Sequence, residues 1–475
     1  MKFTAKGLAA VGRDLRPPFM VDLYLDPTAD LSEQSTTELS FVSVMRVLPG
    51  RRVSGLAEHQ GETVFAKLFF GKRARRYWQR ELSGSQRMRK AGIETPEVLA
   101  HGSTADGDGY VVFYQPLPEP HNLRDDDSED MLAAVQILGR LHDANLVQSD
   151  VHVFNFIRSS GHYYAIDADG IRLAYLLRQH FANLAMLLAQ RPPLADDDID
   201  EVWAVYSALR GAYVSRMGSS DQLRRLTLKQ RKQRTRRYLK KTQRDCTEFV
   251  QHKSLTHNFL CDRQHWHRLQ RFMLFPEVFV GEGTPLKLGN SATVVRIVVD
   301  DVRYVVKRYN VKSVSHRVRR WFKPRARHAW RNGHMLSFLG IDTARPVALL
   351  ERRWGWFTDT CYLVMPDCGE RNLGQMLSSD AESFAQLAPA AVKLLQGLQA
   401  AGLNHGDLKA TNFVVSGDRM ALIDYDAVHK GGNHKDVARF LANWDDAPEL
   451  QAAWRQALAD ASVQLEQHRQ SKESA

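Results

Sequence analysis

The chain has 475 residues, 44% of them hydrophobic and 25% charged, with a formal net charge of +11. That length exceeds one ordinary core and predicts roughly two to four domains. No apolar run approaches the ~18 residues of a membrane span, and the opening MKFTAKGLAAVGRDLRPPF lacks the apolar stretch of a signal peptide. Four cysteines (Cys246, Cys261, Cys361, Cys368) without a CxxC pair argue against a disulfide framework or a zinc site and for reduced structural thiols. The expected location is the cytoplasm, or the inner face of the inner membrane as a peripheral protein.

In chain order, residues 39–70 read as strands ending in TVFAKLFF, an alternating strand that carries Lys67. A basic, helix-like stretch follows and places Glu81 twelve residues before Ile93 of an AGI turn. PEVLAHG and GYVVFYQPL read as further strands, and SEDMLAAVQILGRLHDAN as an amphipathic helix leading into QSDVHVFNF and YAIDADG. Residues 170–215 read as helical, interrupted by a RPPLADDD loop with Asp196–Asp198 near a helix start. The basic segment at 235–250 is the expected boundary, giving domains 1–240 and 241–475.

The second half repeats the order. VVRIVVDDVRYVVKRY carries Lys307, and a basic stretch ends in HMLSFLGI. The strands ARPVALLE and TCYLVMPD and the helix AESFAQLAPAAVKLLQGLQAAGL then lead into NHGDLKATNF and ALIDYDA. The tail QLEQHRQSKESA is polar and is expected to fray. Strands, one helix, more strands and then mostly helices is an α+β order, with a small antiparallel sheet lobe and a helical lobe in each half.

The repeat carries chemistry. Asp150, Asn155 and Asp167 in the first half recur as Asp407, Asn412 and Asp424 in the second, each displaced by 257 residues. An aspartate, an asparagine five residues on, and a second aspartate after a strand form the layout of a phosphoryl-transfer site. Asp150 and Asp407 are the expected holders of the acceptor hydroxyl proton. Asn155, Asp167, Asn412 and Asp424 are expected to ligate Mg²⁺, which suits a sparse oxygen set. Lys67 and Lys307 are placed to meet the α- and β-phosphates of ATP, with Glu81 orienting Lys67. Two residues past the catalytic aspartate, His152 and Lys409 are placed to neutralise the transferring group; lysine does so at any physiological pH, histidine only when protonated. Asp169 and Asp426 follow the metal aspartates by two residues and read as a second metal ligand or a helix cap.

The copies are not equal. Twelve residues before Ile341 stands Ala329, and no acid occurs from 302 to 341, so Lys307 needs His334 or a carboxylate from elsewhere. The complete set makes the first copy the expected seat of the chemistry, with the second open. Neither LPGRRVSG (Gly50, Gly55) nor KLGNSATV (Gly289) is a GxGxxG loop. Residues 222–244 and 302–341 each hold eleven Lys or Arg and no acid. The first reads as a polyanion-binding field, a solvated helix face or a linker. The second, with Trp321, Phe322 and Trp330 among its charges, suits a membrane interface or a sugar-phosphate surface as well as nucleic acid.

On Lys67, Glu81, QSDVHVFNF and AIDADG, and on Lys307, HGDLKATNF and LIDYDA, the chain resembles the bacterial lipopolysaccharide kinase family of core heptose and Kdo kinases, as two tandem protein-kinase-like domains. The resemblance implies ATP, Mg²⁺, a sugar hydroxyl of the lipopolysaccharide core or another anionic glycolipid as acceptor, and contact with an anionic inner membrane. Ser149 and Gly406 stand where a regulated protein kinase carries an arginine. The alternatives are a kinase for a protein or small-molecule hydroxyl, and a scaffold in which the second domain is a pseudokinase. Nucleic acid is not the expected partner, since no recognition module is visible.

Overall fold

The structure, a computed structural model, describes residues 1–12, 15–25, 36–211, 214, 218–310, 325–354, 357–377, 381–417, 419–431 and 434–473. The chain divides into two compact units, residues 1–190 with 199–228, and residues 191–198 with 229–475.

In the first unit a short helix, α1 (Ala5–Val11), precedes seven strands: β1 (Phe19–Leu25), β2 (Thr37–Phe41), β3 (Arg46–Leu48), β4 (Arg52–His59), β5 (Glu62–Phe70), β6 (Val98–Thr104) and β7 (Gly109–Tyr114). They form one antiparallel sheet in the order β2-β1-β6-β7-β5-β4-β3. The period of two along β5 sorts its side chains. Val64, Ala66, Leu68 and Phe70 join the core under β1 and α1, while Phe65 and Phe69 turn to the opposite cluster, which also holds Tyr77 and Trp78 of α2 (Ala74–Lys90). Strand β1 lies ahead of the predicted strand region, which β2 enters; one partner of β1 is remote in sequence, Leu23 pairing with Thr104.

The rest of the unit is mostly helical. It comprises α3 (Ser128–Asp143), α4 (Leu177–Leu188) and α5 (Ile199–Arg210), with short strands between α3 and α4. Leu138, Leu141, Leu184, Leu188 and Tyr206 meet in one buried core. The predicted loop at RPPLADDD is a 3₁₀ turn at Pro193–Asp198, directly before α5. The basic 222–244 segment is mostly helix, α6 (Ser220–Lys241), and the division between the units falls inside it.

In the second unit β8 (Phe249–Lys253), β9 (His257–Asp262), α7 (Trp266–Leu274), α8 (Pro276–Glu282), β10 (Thr284–Leu288), β11 (Ala292–Val299) and β12 (Val302–Tyr309) come first. After α9 (Arg325–Phe338) follow β13 (Ala348–Trp354) and β14 (Phe357–Pro366). The sheet order is β8-β9-β13-β14-β12-β11-β10. Its last five strands, β13-β14-β12-β11-β10, correspond in sequence order to β6-β7-β5-β4-β3 of the first unit. The outer pair differs: the first strand of its unit, β1, meets the centre of the sheet in one, whereas the second, β9, does so in the other. Helices α10 (Leu373–Met376), α11 (Ala381–Ala400), α12 (His434–Leu441) and α13 (Pro448–Glu473) complete the unit. The polar tail expected to fray continues α13 as far as Glu473.

Two expectations about aromatics and cysteines meet the structure differently. Trp330 is a core residue, 1% exposed, whose Nε1 donates to Thr242 Oγ1 at 3.2 Å, so it is not a surface aromatic. Trp321 and Phe322 lie outside the described residues. No disulfide joins the four cysteines, and burial pushes the Cys261 thiol well up.

Candidate active site

Helix ends set the register of the two sites. At the end of α2, Gly92 has φ +67° and Ile93 N–H donates to Met88 O at 3.0 Å; at the end of α9, Gly340 has φ +73° and Ile341 N–H donates to Leu336 O at 3.0 Å. Both are glycine-terminated helix stops of the same type, in which the left-handed residue has no Cβ to clash. Counting back twelve residues reaches Glu81 and Ala329, each fully buried.

In the first unit Glu81 meets Lys67 as expected. Lys67 Nζ stands 2.5 Å from Glu81 Oε1 and 3.4 Å from Asp167 Oδ1. Tyr114 OH donates to Glu81 Oε1 at 2.7 Å, and the Asp169 N–H donates to Glu81 Oε2 at 3.0 Å. Burial together with the Glu81 charge holds the Tyr114 hydroxyl well above its usual pKa. Asp167 adopts the left-handed conformation, φ 63° and ψ 58°, at the turn after the short strand His162–Ala165. Burial pushes its carboxyl up, but Lys67 and Arg52 outweigh that and hold it well below the usual range.

Two arginines that the sequence did not single out enter this site. Arg52, 4% exposed, donates from Nη1 to Asp167 Oδ1 at 3.2 Å, and Arg51 Nη2 lies 2.7 Å from Asp169 Oδ2 while its guanidinium sits 3.9 Å from the centre of the Tyr77 ring. Their signal was in the strand pairing: Ser54 lies opposite Lys67, so Arg52 falls two residues along the same face. Asp169 is therefore an ion-pair partner and not a helix cap; burial first, then Asp167 and Glu81, raise its pKa.

Asp150 is exposed, and its backbone oxygen accepts from Asn155 Nδ2 at 2.9 Å. His152 accepts from Phe154 N–H at 3.2 Å and stacks at a tilt on the Phe154 ring. Gln148 Nε2 donates to Ile166 O at 2.9 Å, tying the Asp150 loop to the strand before Asp167.

The second site is built differently. Lys307 Nζ lies 2.6 Å from Asp424 Oδ1 and 3.0 Å from Asp426 Oδ2. Tyr309 OH donates to Asp426 Oδ1 at 2.9 Å, and Arg325 Nη2 donates to Asp426 Oδ2 at 3.0 Å. Asp426 thus stands in for the missing helix carboxylate. His334 does not: it hydrogen-bonds Tyr238 at 3.1 Å and packs on Trp330 and Phe249, where burial and then Arg345 push its pKa well down. Asp424 is left-handed like Asp167, φ 59° and ψ 48°, and Lys307 outweighs burial to lower its pKa.

The loop of the second site is held from below. Asp436 on α12 accepts from Gly406 N–H at 3.0 Å and also from His405 N–H, and Asn443 Oδ1 accepts from Ala410 N–H at 3.1 Å. One helical turn past Asp436, Arg439 Nη2 reaches Asp407 Oδ1 at 2.7 Å, and Lys409 Nζ lies 3.2 Å from the same oxygen. Asn412 Nδ2 donates to Asp407 O at 2.7 Å, mirroring Asn155. Arg439 went unnoticed in the sequence, although the three-residue step from Asp436 puts both on one helix face.

Of the predicted glycines, Gly50 has φ +66° in the turn before β4 and Gly289 lies in the turn between β10 and β11. Gly55 lies within β4, where a Cβ would come 1.9 Å from Ser43 O.

Each site leaves one asparagine oxygen and one aspartate oxygen for a divalent cation, Asn155 Oδ1 with Asp167 Oδ2 in the first, and the sites differ in the cations already around them. Asp424 is engaged through Oδ1 by Lys307, and Asn412 spends Nδ2 on the loop, which leaves Asn412 Oδ1 and Asp424 Oδ2 as oxygen donors. Among the described residues one trio of carboxylates, Glu81, Asp167 and Asp169, has ligand atoms within 4.8 Å of one another, yet each already faces Lys67, Arg52 or Arg51.

Residues 364–470 match the model of a phosphotransferase enzyme family, and the match encloses Asp407, Lys409, Asn412 and Asp424. No curated protein matches the chain significantly. Among solved structures, "WaaP in complex with acyl carrier protein" is similar over 38% of this chain and 88% of that chain, with 19% identity and a TM-score of 0.27. "Structure of vaccinia related kinase 3" is similar over 35% of this chain and 56% of that chain, with 12% identity and a TM-score of 0.24. The family match defines the class of the protein, a kinase.

Proposed function

We propose that the chain transfers the γ-phosphoryl group of ATP to a sugar hydroxyl, heptose or Kdo, of a lipopolysaccharide core or another anionic glycolipid, and that the second unit carries the chemistry. The observation that carries this reading is the grouping of Asp407, Lys409, Asn412 and Asp424 on one anchored loop and the following strand, inside the segment matched to a phosphotransferase family.

In this reading Asp407 Oδ2 holds the proton of the acceptor hydroxyl and aligns its oxygen with the γ-phosphorus. As the new P–O bond forms, the bond to the β-phosphate breaks and ADP leaves. Lys409 and Arg439, both beside Asp407 Oδ1, place positive charge where the transferring group spreads its negative charge. Lys307, held by Asp426, meets the α- and β-phosphates. Asn412 and Asp424 would hold Mg²⁺, which neutralises phosphate charge when bound.

The acceptor reading draws support from the sequence resemblance and from charge. Along α6, Lys229, Lys232, Arg236 and Lys240 are exposed and recur at three- and four-residue steps, forming one basic stripe suited to an anionic glycolipid or the anionic lipid around it. Among the described residues no helix is long and apolar enough to cross a membrane. Mass spectrometry of core oligosaccharide from cells carrying Asp407→Ala tests the acceptor. The expected result is loss of one phosphate, and unchanged phosphate content removes the lipopolysaccharide core from consideration.

A further inference from the structure

We infer that the first unit is a metal-independent binding site for a nucleoside triphosphate, in which Arg51 and Arg52 take the place of the divalent cation. The inference rests on reading that unit as nucleotide-binding, and it departs from the second unit at two positions. By strand pairing, Ser54 lies opposite Lys67 and Val294 opposite Lys307, so Arg51 and Arg52 correspond to Ser291 and Ala292. The second unit therefore has no cation at either place.

The surroundings of Asp167 argue against a dication. One carboxylate oxygen already takes Lys67 and the buried Arg52, and Arg46 adds a further positive charge nearby. Glu81 is consumed by Lys67, Tyr114 and the Asp169 N–H. Asp169 faces Arg51, and its backbone oxygen accepts from Arg80 and Arg172, each at 2.8 Å. A cation entering here would be repelled by charges already fixed, and would have to displace an arginine that is shut off from solvent.

A polyphosphate meets the opposite conditions. Arg51 has its side chain 37% exposed and so presents N–H donors to an anion without moving a carboxylate, beside the positive charge of Lys67. The loop beneath is weak for transfer. Asp150 has no counterpart of Arg439, since Met186 stands at the matching step of α4 (Asn183 and Gln190 serving this loop as Asp436 and Asn443 serve the other), and His152 replaces Lys409. Binding without turnover is what this arrangement supports.

The test uses the full chain carrying Lys307→Ala, which silences the second site, titrated calorimetrically with ATP in EDTA and again with Mg²⁺. The expected result is binding in both, with dissociation constants within about twofold of each other. Adding Arg52→Ala frees Asp167: affinity in EDTA falls at least about tenfold and Mg²⁺ now restores part of it. Arg52→Lys, which keeps the charge, retains binding in EDTA, and thermal unfolding of each variant verifies that it folds. Binding that appears only with Mg²⁺, no binding in either buffer, or an Arg52→Ala variant that binds as before in EDTA each overturns the inference. Failure of the proposed transfer shows separately, as unaltered phosphoryl transfer by the Asp407→Asn chain, and leaves these titrations standing.

Discussion

Lys67 and Lys307 occupy the same place on their strands yet are held by carboxylates from different elements, Glu81 of a helix and Asp426 of a turn. Glu81 is completely buried, so Glu81→Ala leaves Lys67 with only the longer contact to Asp167, at 3.4 Å, and takes the acceptor from Tyr114 OH and the Asp169 N–H. The expected cost is about 3–5 kcal/mol in urea unfolding of the first unit. Asp426→Asn costs less, because Asp424 remains against Lys307 at 2.6 Å, closer than Asp167 stands to Lys67. A pH effect belongs to the same scale. Burial lowers the pKa values of His142, His334 and His405, so the unfolded chain binds protons that the folded chain refuses. Stability is complete above the ordinary histidine pKa of ~6.5 and declines as pH falls toward the depressed folded values. Denaturation midpoints are thus lower at pH 5 than at pH 8, and His334→Phe flattens that slope; an unchanged slope contradicts the assignment of His334 as a buried neutral ring. Asp167 adds a further loss in stronger acid, below its unfolded pKa of ~4, as Lys67 and Arg52 lose their partner.

Helix α2 positions the first site by close approach to the turn after Asp167. A Cβ on Gly84 would lie 2.0 Å from Ala168 O, so Gly84→Val forces helix and turn apart, at a cost of roughly 1–3 kcal/mol, and weakens nucleotide binding by the first unit. In the second unit, Asp436→Ala leaves two loop N–H groups without their acceptor; turnover is expected to fall with ATP binding little altered, read as kcat against KM. Local pattern made some of these elements legible. The AGI and LGI helix stops fixed the count back to Glu81 and Ala329, and alternation marked the strands of Lys67 and Lys307. Trp330 was misplaced although Ala326, Ala329, Trp330, Gly333 and Leu336 recur at helical spacing as one buried face; the surrounding arginines masked it. Arg52, Arg439 and Asp426 were beyond local reading, because their roles depend on pairing register and on contacts more than thirty residues away in sequence.

At the scale of the molecule, the spacing implies a duplication, and the two units share one order in their five central strands while the outer strand pair and the charged groups of the sites differ. The completeness of the first motif set pointed to the first half as the seat of chemistry. We propose the second half instead, on the ground that Arg52 stands against Asp167 in the first while the paired cations Lys409 and Arg439 stand beside Asp407. The α6 stripe makes association with anionic vesicles salt-sensitive, weakening steeply as the screening length shrinks from ~10 Å at 0.1 M to ~3 Å at 1 M salt; Lys232→Glu with Arg236→Glu should abolish co-sedimentation with such vesicles. The central claim, transfer by the second unit, is met most directly by measuring phosphoryl transfer from ATP with the Asp407→Asn and Asp150→Asn chains side by side. The account predicts a fall of roughly 10²–10⁴ for Asp407→Asn and a change of less than about threefold for Asp150→Asn. Full activity in Asp407→Asn with loss in Asp150→Asn would contradict it.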